Sequence, residues 1–317
     1  MNMQLRNKTV CIIGGSGFIG RALVEKLARA GARITVLTRN AVRSKNLKPV
    51  GDVGQITVMS GDALLDDDLA RAIQSADYVV NLVGIFHPSG KQNFENAQAE
   101  LPQRIAQIAE QAEVTKIVQI SAIGADLNAA STYYRTKAEG ERSLLRLALN
   151  STMLRPSIFF RPGDGFFDRF ARMAMIAPAL PLLAGGNTKF QPVFVGDVAE
   201  SIIYCLSNSQ TDGQIYELGG PSIYSFKELL VYMLSAIGKK RALIPVPIFA
   251  MQVPAAMASI LPNPPITRDQ LRMLDTDNIV NENMLDITSF GITPQPIEAH
   301  VPNYLSCYRQ GGIFASS

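Results

Sequence analysis

Short apolar runs alternate with helical segments along the first 122 residues of the chain. After the first run, Ile19, Leu23 and Leu27 recur at the spacing of one helix face. A longer helix is predicted over about 93–113, with Pro102 kinking or restarting it because proline lacks a backbone N–H. The apolar runs predict strands at residues 9–14, 32–39, 56–62, 76–84 and 116–122. Strands that alternate with helices predict a parallel, doubly wound α/β sheet, whose ligand lies at the carboxyl ends of the strands.

A glycine-rich turn separates the first strand from the first helix. Its sequence is GGSGFIG, residues 14–20. In the order strand, turn, helix, such glycines let a pyrophosphate approach the backbone N–H groups at the helix N-terminus. The turn therefore predicts dinucleotide binding, and the alternative is a glycine turn without a ligand. The residues predicted to bind the cofactor here are Gly14, Ser16, Gly17, Phe18, Ile19 and Gly20.

Polar residues end three of the later strands. Asp62, Asn81 and Ser121 each stand at the carboxyl end of a predicted strand. Any one of them has an ordinary interpretation as a turn former or helix cap, but together they outline a ligand crevice. The residues predicted to bind the cofactor along these strand ends are Asp62, Ala63, Asn81, Leu82, Val83, Gly84, Ser121 and Pro156.

The end of the second strand indicates which nicotinamide cofactor is bound. NAD-binding sheets of this type usually have Asp or Glu there, which binds the ribose 2′-hydroxyl. Here the residues are Thr38, Arg39 and Arg43, and no acidic residue occurs between Glu25 and Asp52. A guanidinium group matches the charge and geometry of a 2′-phosphate. The sequence therefore predicts that NADP(H) is preferred over NAD(H), with ordinary loop charges as the alternative interpretation of the arginines.

Tyr133 and Lys137 form a candidate acid/base pair in the stretch STYYRTKAEGE, residues 131–141. On a helix, their spacing of four puts the phenol and the ammonium on one face. A cation within a few Å lowers the pKa of a tyrosine, ordinarily about 10, by roughly 1 to 3. Because this spacing also arises by chance, its meaning depends on the rest of the chain.

Composition narrows the classes of function. The 30 basic and 27 acidic side chains leave a net charge of +3, which is too small and too scattered to predict nucleic-acid binding. Cys11, Cys205 and Cys307 lack metal-ligand spacing and indicate a reducing compartment without a metal site. Too few residues precede the first apolar run for a targeting peptide, so we expect a bacterial cytoplasmic chain or one already processed.

One long apolar segment lies in the last third of the chain. Residues 242–262 carry few polar side chains and follow the basic cluster Lys239-Lys240-Arg241. Their length suits a bilayer span, but four prolines argue against one continuous helix. Two interpretations stay open, a buried helix pair and a surface that contacts a membrane or a membrane-embedded partner.

The motifs and their order resemble the extended short-chain dehydrogenase/reductase family. After the glycine turn, the matching pieces are SGD (60–62), NLVG (81–84), Ser121, the Tyr133…Lys137 pair, LRPSIFFRPGD (154–164), FQPVFVGDVAESI (190–202) and GQIYELGGPSIYSFKELL (213–230). The resemblance implies that Asp62 contacts the adenine, Lys137 the nicotinamide ribose and Tyr133 a substrate oxygen.

The same resemblance implies two interleaved lobes. A dinucleotide-binding Rossmann domain is expected from residues 1–156 together with about 190–221. A smaller C-terminal lobe, on the substrate side or in contact with a partner, is expected from about 157–189 together with 222–317.

The family pattern is incomplete at the catalytic residues. A carbonyl reductase of this type uses a hydroxyl acid, a cation that tunes it and a second hydroxyl that orients the substrate carbonyl. Family members with that second hydroxyl have it just beyond the strand-end serine, where this chain has Ala122 and Ile123. The candidate catalytic residues are therefore an altered or vestigial set, Ser121, Tyr133 and Lys137. We expect a cofactor that is bound but rarely turned over; the alternatives are an active reductase or epimerase and a cofactor-sensing regulator.

Within the family, three motifs resemble the NAD(P)H-binding accessory subunits of respiratory complex I and their alphaproteobacterial relatives. They are QISAIGAD (119–126), YYRTKAEGE (133–141) and LPNPPITRDQLRMLDTDN (261–278). This resemblance implies an accessory or assembly component of the NADH:quinone oxidoreductase. It also implies contact with complex I subunits or the membrane surface through about 242–274. The location would be the inner face of the bacterial inner membrane, or the matrix side in a mitochondrion.

Overall fold

Strands and helices alternate from β1 to β6, and several short strands follow one another in the rest of the described chain. The computed structural model describes residues 3–86, 88, 90, 92–163, 165–246, 267–309 and 311. The strands are β1 (Thr9–Ile13), β2 (Arg33–Thr38), β3 (Ile56–Ser60), β4 (Tyr78–Asn81), β5 (Lys116–Ile120), β6 (Ser151–Pro156), β7 (Phe159–Phe160), β8 (Ala179–Leu183), β9 (Lys189–Phe190), β10 (Val193–Phe194), β11 (Ile215–Leu218), β12 (Tyr224–Ser225), β13 (Ala242–Val246) and β14 (Leu285–Asp286). The helices are α1 (Phe18–Arg29), α2 (Ala41–Ser44), α3 (Asp66–Ile73), α4 (Leu101–Gln111), α5 (Thr132–Leu147), α6 (Phe167–Ile176), α7 (Val195–Ser207), α8 (Phe226–Ala236), α9 (Arg268–Met273) and α10 (Ile297–Leu305).

Eight of the described strands form one sheet, in the order β14-β11-β6-β5-β4-β1-β2-β3. β1 pairs in parallel with β2 on one side and β4 on the other, so that Ile13 lies opposite both Leu37 and Asn81. The chain therefore moves outward from β1 to β3, returns, and continues on the other side from β4 to β6. This reversal beside β1 is where doubly wound sheets bind their ligands. The predicted α/β fold with a parallel, doubly wound sheet is confirmed.

An apolar stripe holds α1 on the sheet. Ile19, Leu23 and Leu27 are buried, as their spacing predicts. In the strands beneath, side chains such as Ile12 and Val80 are fully buried. Burying a side chain of this size stabilises the fold by about 1.5–3 kcal/mol relative to leaving it exposed. The stripe therefore determines where the N-terminus of α1 lies.

A π-helical segment, Glu95–Glu100, leads directly into α4. Pro102 lies in the first turn of α4, and the predicted restart falls at this junction between the two helical segments. Helix α5 packs closely on the π-helical segment at Gly140, where a β-carbon would lie 2.0 Å from the carbonyl oxygen of Gln98. The glycine therefore lets α5, which carries the predicted acid/base pair, lie against the segment that follows β4.

Backbone contacts divide the chain into two compact units. The first contains the parallel sheet and comprises Met1–Pro156, Val195–Glu217 and Asn283–Ile292. The second comprises Ser157–Phe194, Leu218–Glu282 and Thr293–Ser317. Buried aromatic side chains, among them Phe167 of α6 and Phe226 of α8, form the core of the second unit. A substrate-side or partner-contact role for such a lobe stays a prediction.

The predicted apolar segment is described only at its two ends. Its first residues form β13, which pairs in parallel with β8, and α9 follows it. Residues 247–266 lie outside the described residues, so the choice between a buried helix pair and a contact surface stays open. In the part of the chain that the structure describes, no helix has the length and apolar character that crossing a membrane requires.

Candidate nucleotide-binding site

A cleft of about 230 Å³ opens at the carboxyl ends of β1, β2 and β4. The predicted cofactor residues that line it are Gly14, Ser16, Gly17, Thr38, Arg39, Asp62, Ala63, Leu82, Val83 and Gly84. The lining residues that the sequence did not single out are Leu37, Gly61, Leu64, Ile85, Gln92, Ala97 and Leu101. Most of these directly neighbour a predicted motif, which is the signal that would have found them. Gln92, Ala97 and Leu101 come from the segment after β4, whose course no local pattern indicates.

The glycine turn connects β1 to α1 at this cleft. The Gly17 N–H donates to the Gly14 carbonyl oxygen at 3.1 Å and closes the turn. A β-carbon at Gly20 would lie 2.3 Å from the Gly15 carbonyl oxygen, so any side chain there would push α1 away from the turn. In the described structure no side chain caps α1 at Gly17. An uncapped helix N-terminus carries partial positive charge, which suits a phosphate.

Two hydroxyls and a guanidinium form the wall of the cleft at the end of β2. The oxygens of the Ser16 and Thr38 hydroxyls lie 3.1 Å apart and share a hydrogen bond. The Thr38 hydroxyl also accepts the Asn40 N–H at 3.3 Å. Arg39 is exposed and lines the cleft, whereas the side chain of Arg43 lies outside the described part. Ser16, Thr38 and Arg39 thus bring hydroxyl and guanidinium groups to this end of the cleft.

Asp62 stands just after β3, at the edge of the cleft. Its carboxylate accepts the Leu64 N–H at 3.1 Å, and its own N–H donates to the carboxylate of Asp68 at 2.8 Å. These bonds hold the turn and keep the half-buried Asp62 at the cleft. An acceptor here suits the amino group of an adenine, which is the role that the family resemblance implies.

Asn81 shapes the cleft without lining it. The residue is fully buried, and its Nδ2 donates to Oε1 of Gln119 on β5 at 2.8 Å. Its Oδ1 accepts the Val83 N–H at 3.1 Å, which holds the backbone of the loop after β4. The other predicted cofactor residues that lie outside the lining set are Phe18, Ile19, Gly20, Ser121, Lys137 and Pro156.

Lys137 lies buried behind the loop after β4. Its Nζ donates to the Ile120 carbonyl oxygen at 3.1 Å and reaches the Val83 carbonyl oxygen at 3.5 Å. A β-carbon on Gly84, which lines the cleft, would lie 3.5 Å from this Nζ. Burial lowers the pKa of Lys137 to about 8, and the carboxylate of Glu141 opposes this decrease. The amine is therefore mostly protonated at neutral pH and stands next to the cleft.

Tyr133 is enclosed by aromatic rings. It stacks on Phe86 with ring centroids 5.3 Å apart, and the edges of Phe94 and Tyr134 complete the enclosure at 6.0 and 5.5 Å. Burial, and to a smaller extent Tyr134, raises the pKa of the phenol. The expected decrease from the neighbouring lysine is therefore wrong. An apolar enclosure penalises the phenolate, and the Lys137 ammonium is engaged with main-chain carbonyls.

Ser121 carries an unsatisfied hydroxyl. The residue is 3% exposed, and its Oγ has no hydrogen-bond partner among the described residues. Leaving a buried hydroxyl unpaired costs about 1–3 kcal/mol, which a bound ligand atom would relieve. The next two positions, Ala122 and Ile123, are buried and apolar. The Ile123 N–H donates to the Pro156 carbonyl oxygen at 3.2 Å, so this stretch continues the contact between β5 and β6.

These features fit a nicotinamide dinucleotide. The uncapped start of α1 suits the pyrophosphate, the polar wall at β2 suits the adenosine ribose, and the Ser121 hydroxyl and Lys137 suit the other end. Residues 10–219, more than half of the chain, match the model of the NAD dependent epimerase/dehydratase family. The chain belongs to this family. A nicotinamide dinucleotide is accordingly its class of cofactor, and the predicted resemblance to the extended short-chain dehydrogenases is confirmed.

Two mitochondrial proteins are similar to this chain over nearly its whole length. NADH dehydrogenase [ubiquinone] 1 alpha subcomplex subunit 9 of Arabidopsis thaliana is 31% identical over 313 residues, which cover 95% of this chain and 78% of that protein. The NADH-ubiquinone oxidoreductase 40 kDa subunit of Neurospora crassa is 26% identical over 312 residues, covering 98% and 82%. Both alignments extend past residue 219, where the family match ends. The predicted resemblance to complex I accessory subunits is therefore confirmed.

A solved structure shows the same fold. MoeE5 in complex with UDP-glucose and NAD superposes with a TM-score of 0.68 at 18% identity, over 94% of this chain and 96% of that one. At this identity the likeness concerns the fold alone.

Proposed function

We propose that this chain is an accessory or assembly component of the respiratory NADH:quinone oxidoreductase, complex I, and that it holds NADP(H) with little turnover. The observation that carries this proposal is the 31% identity to the Arabidopsis thaliana subunit over 95% of the chain. The likeness continues beyond residue 219, outside the general family match. The residues beyond 219 are therefore shared with complex I subunits in addition to the nucleotide fold. We expect contacts with that complex to lie in this region.

The preference for NADP(H) over NAD(H) rests on the wall at the end of β2. Arg39 lines the cleft beside the Thr38 hydroxyl, and no acidic residue follows β2 before Asp52. A guanidinium–phosphate contact contributes about 1.5–3 kcal/mol. This corresponds to about ten- to a hundredfold in affinity.

Low turnover is proposed from the surroundings of Tyr133. Aromatic rings enclose the Tyr133 phenol, and its raised pKa makes it a weaker acid than an ordinary tyrosine. The position where a second hydroxyl would orient a substrate carbonyl is occupied by Ala122 and Ile123. The chain therefore keeps the groups that bind the cofactor and lacks a complete set for chemistry.

An active NADPH-dependent reductase or epimerase is the second candidate. The observation that favours it is the pair on α5, with Lys137 beside the cleft and Tyr133 one turn before it. The assay is NADPH oxidation against ketones, quinones and nucleotide sugars. Turnover above about 1 per second that collapses in Tyr133→Phe would establish this candidate and overturn the first.

The proposed contact region for complex I or the membrane is about 242–274, at the inner face of the membrane. Its first strand, β13, carries an isoleucine, Ile244, that is 53% exposed and that follows the basic cluster at 239–241. Exposed apolar side chains beside basic ones suit both a membrane-embedded partner and an anionic lipid surface.

Affinity purification of the tagged chain from membranes tests the assignment. We expect subunits of complex I to co-purify with the wild-type chain, and Ile244→Glu to lose them while keeping its melting temperature. The matched control is Leu149→Glu, since Leu149 is 79% exposed and belongs to the first compact unit, outside the proposed region. A wild-type chain that purifies without any complex I subunit would contradict the proposal. If both variants retain or both lose the complex I subunits, the proposed contact region is wrong, but the proposed association with complex I stands.

A further inference from the structure

The loop after β4 forms part of the wall of the cofactor cleft, because residues 82–85 all line it. At its start the loop is held by the sheet. The Leu82 N–H donates to the Ile13 carbonyl oxygen of β1 at 2.9 Å, and the side chain of Asn81 accepts the Val83 N–H. β4 itself ends at Asn81, so the course of the loop depends on side chains that reach it from other elements.

Gln98 of the π-helical segment reaches this loop. The residue is 2% exposed, and its Nε2 donates to the Ile85 carbonyl oxygen at 2.8 Å. Its Oε1 accepts the hydroxyl of Thr136, on α5, at 3.0 Å. Because a carbonyl oxygen can only accept a hydrogen bond, the amide nitrogen must point to Ile85 and the amide oxygen to Thr136. The two partners thus determine the orientation of the amide.

The Thr136 hydroxyl has two other acceptors within reach. It lies 3.0 Å from the Thr132 carbonyl oxygen and 3.2 Å from that of Tyr133. Both of these oxygens belong to α5, where the regular helical pattern already supplies them with N–H donors. Leaving a buried amide oxygen without a donor is costly, so the hydroxyl proton is best placed toward Gln98.

The backbone around Gln98 lies close to α5. The Leu101 N–H donates to the carbonyl oxygen of Asn96, five residues earlier, which is the π-helical register. Pro102 then has no N–H to donate to the Gln98 carbonyl oxygen four residues before it. At Gly140 of α5, an added β-carbon would lie 2.0 Å from that oxygen. The side chain of Gln98 therefore starts at the surface of α5 and extends to the loop.

The same helix brings Lys137 to the loop. Lys137 follows Thr136 on α5, and its Nζ reaches the Val83 carbonyl oxygen at 3.5 Å. Two successive residues of α5 are thus connected to the loop, Lys137 directly and Thr136 through Gln98. Gln98 does not itself line the cleft, so an effect on the cofactor would act through the loop.

We infer that Gln98 is a positioning residue for cofactor binding, since its amide holds the cleft-lining loop 82–85 against α5. The inference rests on the proposed binding of NADP(H). Without the amide, the Ile85 carbonyl loses this donor and the loop is less ordered before the cofactor binds. Binding must then order the loop, which lowers affinity.

Gln98→Met tests the inference, because it keeps the length of the side chain and removes both hydrogen bonds. We expect the NADPH affinity of the full chain, measured by cofactor fluorescence, to fall about tenfold, the upper end for one hydrogen bond. The matched control is Asn150→Leu. Asn150 also donates its amide to main-chain carbonyls, those of Val114 and Thr115 at 3.1 and 2.7 Å, but it precedes β6 and lies outside the cleft lining. This control should lower the melting temperature and keep the affinity.

Two variants of Thr136 separate hydrogen bonding from packing. Thr136→Val keeps the shape and removes the hydroxyl, and it should lower NADPH affinity by less than Gln98→Met, because the bond to Ile85 remains. Thr136→Ser restores the hydroxyl and should restore the affinity. The double variant Gln98→Met/Thr136→Val should bind no more weakly than Gln98→Met alone, since both changes remove the same contact.

Hydrogen exchange of the chain without cofactor measures the loop directly. We expect the backbone amides of 82–86 to exchange faster in Gln98→Met than in wild type, and at the wild-type rate in Asn150→Leu. If wild type binds NADPH but Gln98→Met binds it equally well, or exchanges no faster in the loop, the positioning role is wrong and cofactor binding stands. If wild type binds neither cofactor, the proposed cofactor role is wrong and the inference falls with it. Should Gln98→Met not fold, equal affinities of Thr136→Val and Thr136→Ser would overturn the inference.

Discussion

Polar side chains have opposite surroundings in the cleft beside β1 and around Tyr133. At the cleft, polar residues line the space that a ligand would occupy, among them Ser16, Thr38 and Arg39. Tyr133 instead is surrounded by aromatic rings, including that of Phe86, and burial raises its pKa. The first arrangement presents donors to a phosphate, and the second suppresses ionisation of the group that a reductase would use. The proposal that the cofactor is bound with little turnover rests on this difference.

The largest expected effect is at the glycine turn, on the binding side of this comparison. Gly20→Ala would place a β-carbon 2.3 Å from a backbone oxygen. We expect it to cost about 3 kcal/mol of the free energy of unfolding and to abolish cofactor binding. Gly165→Ala is the control, because no heavy atom of the residues that the structure describes lies within 4 Å of the β-carbon added there. Thermal unfolding and NADPH titration measure both, and a Gly20→Ala protein indistinguishable from wild type would show that the close approach is dispensable.

Arg39→Ala should separate the two cofactors. NADPH affinity is expected to fall about ten- to a hundredfold, since a guanidinium–phosphate contact is worth about 1.5–3 kcal/mol. NADH affinity should hardly change. Arg33→Ala, which changes another exposed arginine at the opposite end of β2, should change neither. A wild-type preference for NADH that survives Arg39→Ala would refute the assignment of NADP(H).

Lys137→Met tests whether the α5 pair belongs to binding or to chemistry. The loss of one donor to the cofactor should weaken binding by about 1–3 kcal/mol. The effect should be greatest below pH 8 and vanish above it, because burial already lowers the pKa of Lys137 to about 8. Titrations of NADPH against wild type and variant at both ends of this range are the measurement. Unchanged affinity at low pH would place the lysine outside the binding site.

The smallest expected effect is that of Tyr133→Phe. The phenol is enclosed by rings that phenylalanine also packs against, so NADPH affinity and association with complex I should stay close to those of wild type. Both are measured in the same assays as above. A large loss of cofactor affinity would mean that the hydroxyl, and not the ring, matters to this site.

Prediction from sequence worked where the determinants are local. The strand, glycine turn and helix at 9–30 follow from side-chain periodicity and from the conformational needs of a short turn. Polar residues at strand ends come together because parallel strands share one direction, so Asp62 and Thr38 reach the same cleft. The role of Asn81 was not predictable in this way, since its partner Gln119 belongs to a strand that pairs with β4 only in the folded sheet.

The amino-acid sequence alone was sufficient for the parallel α/β fold, the dinucleotide turn and the family, because each depends on patterns within a few residues or on their order. Long-range packing determined the pKa shifts and ion pairs of the buried side chains. The rings of Phe86 and Phe94 reach Tyr133 because α5 packs on the segment after β4, and they turn the expected fall of its pKa into a rise. Likewise, Glu141, Arg155 and Glu217 meet only when α5, β6 and β11 are neighbours. The burial of a side chain and the charges near it depend on residues that are remote in sequence, so spacing along the chain does not predict them.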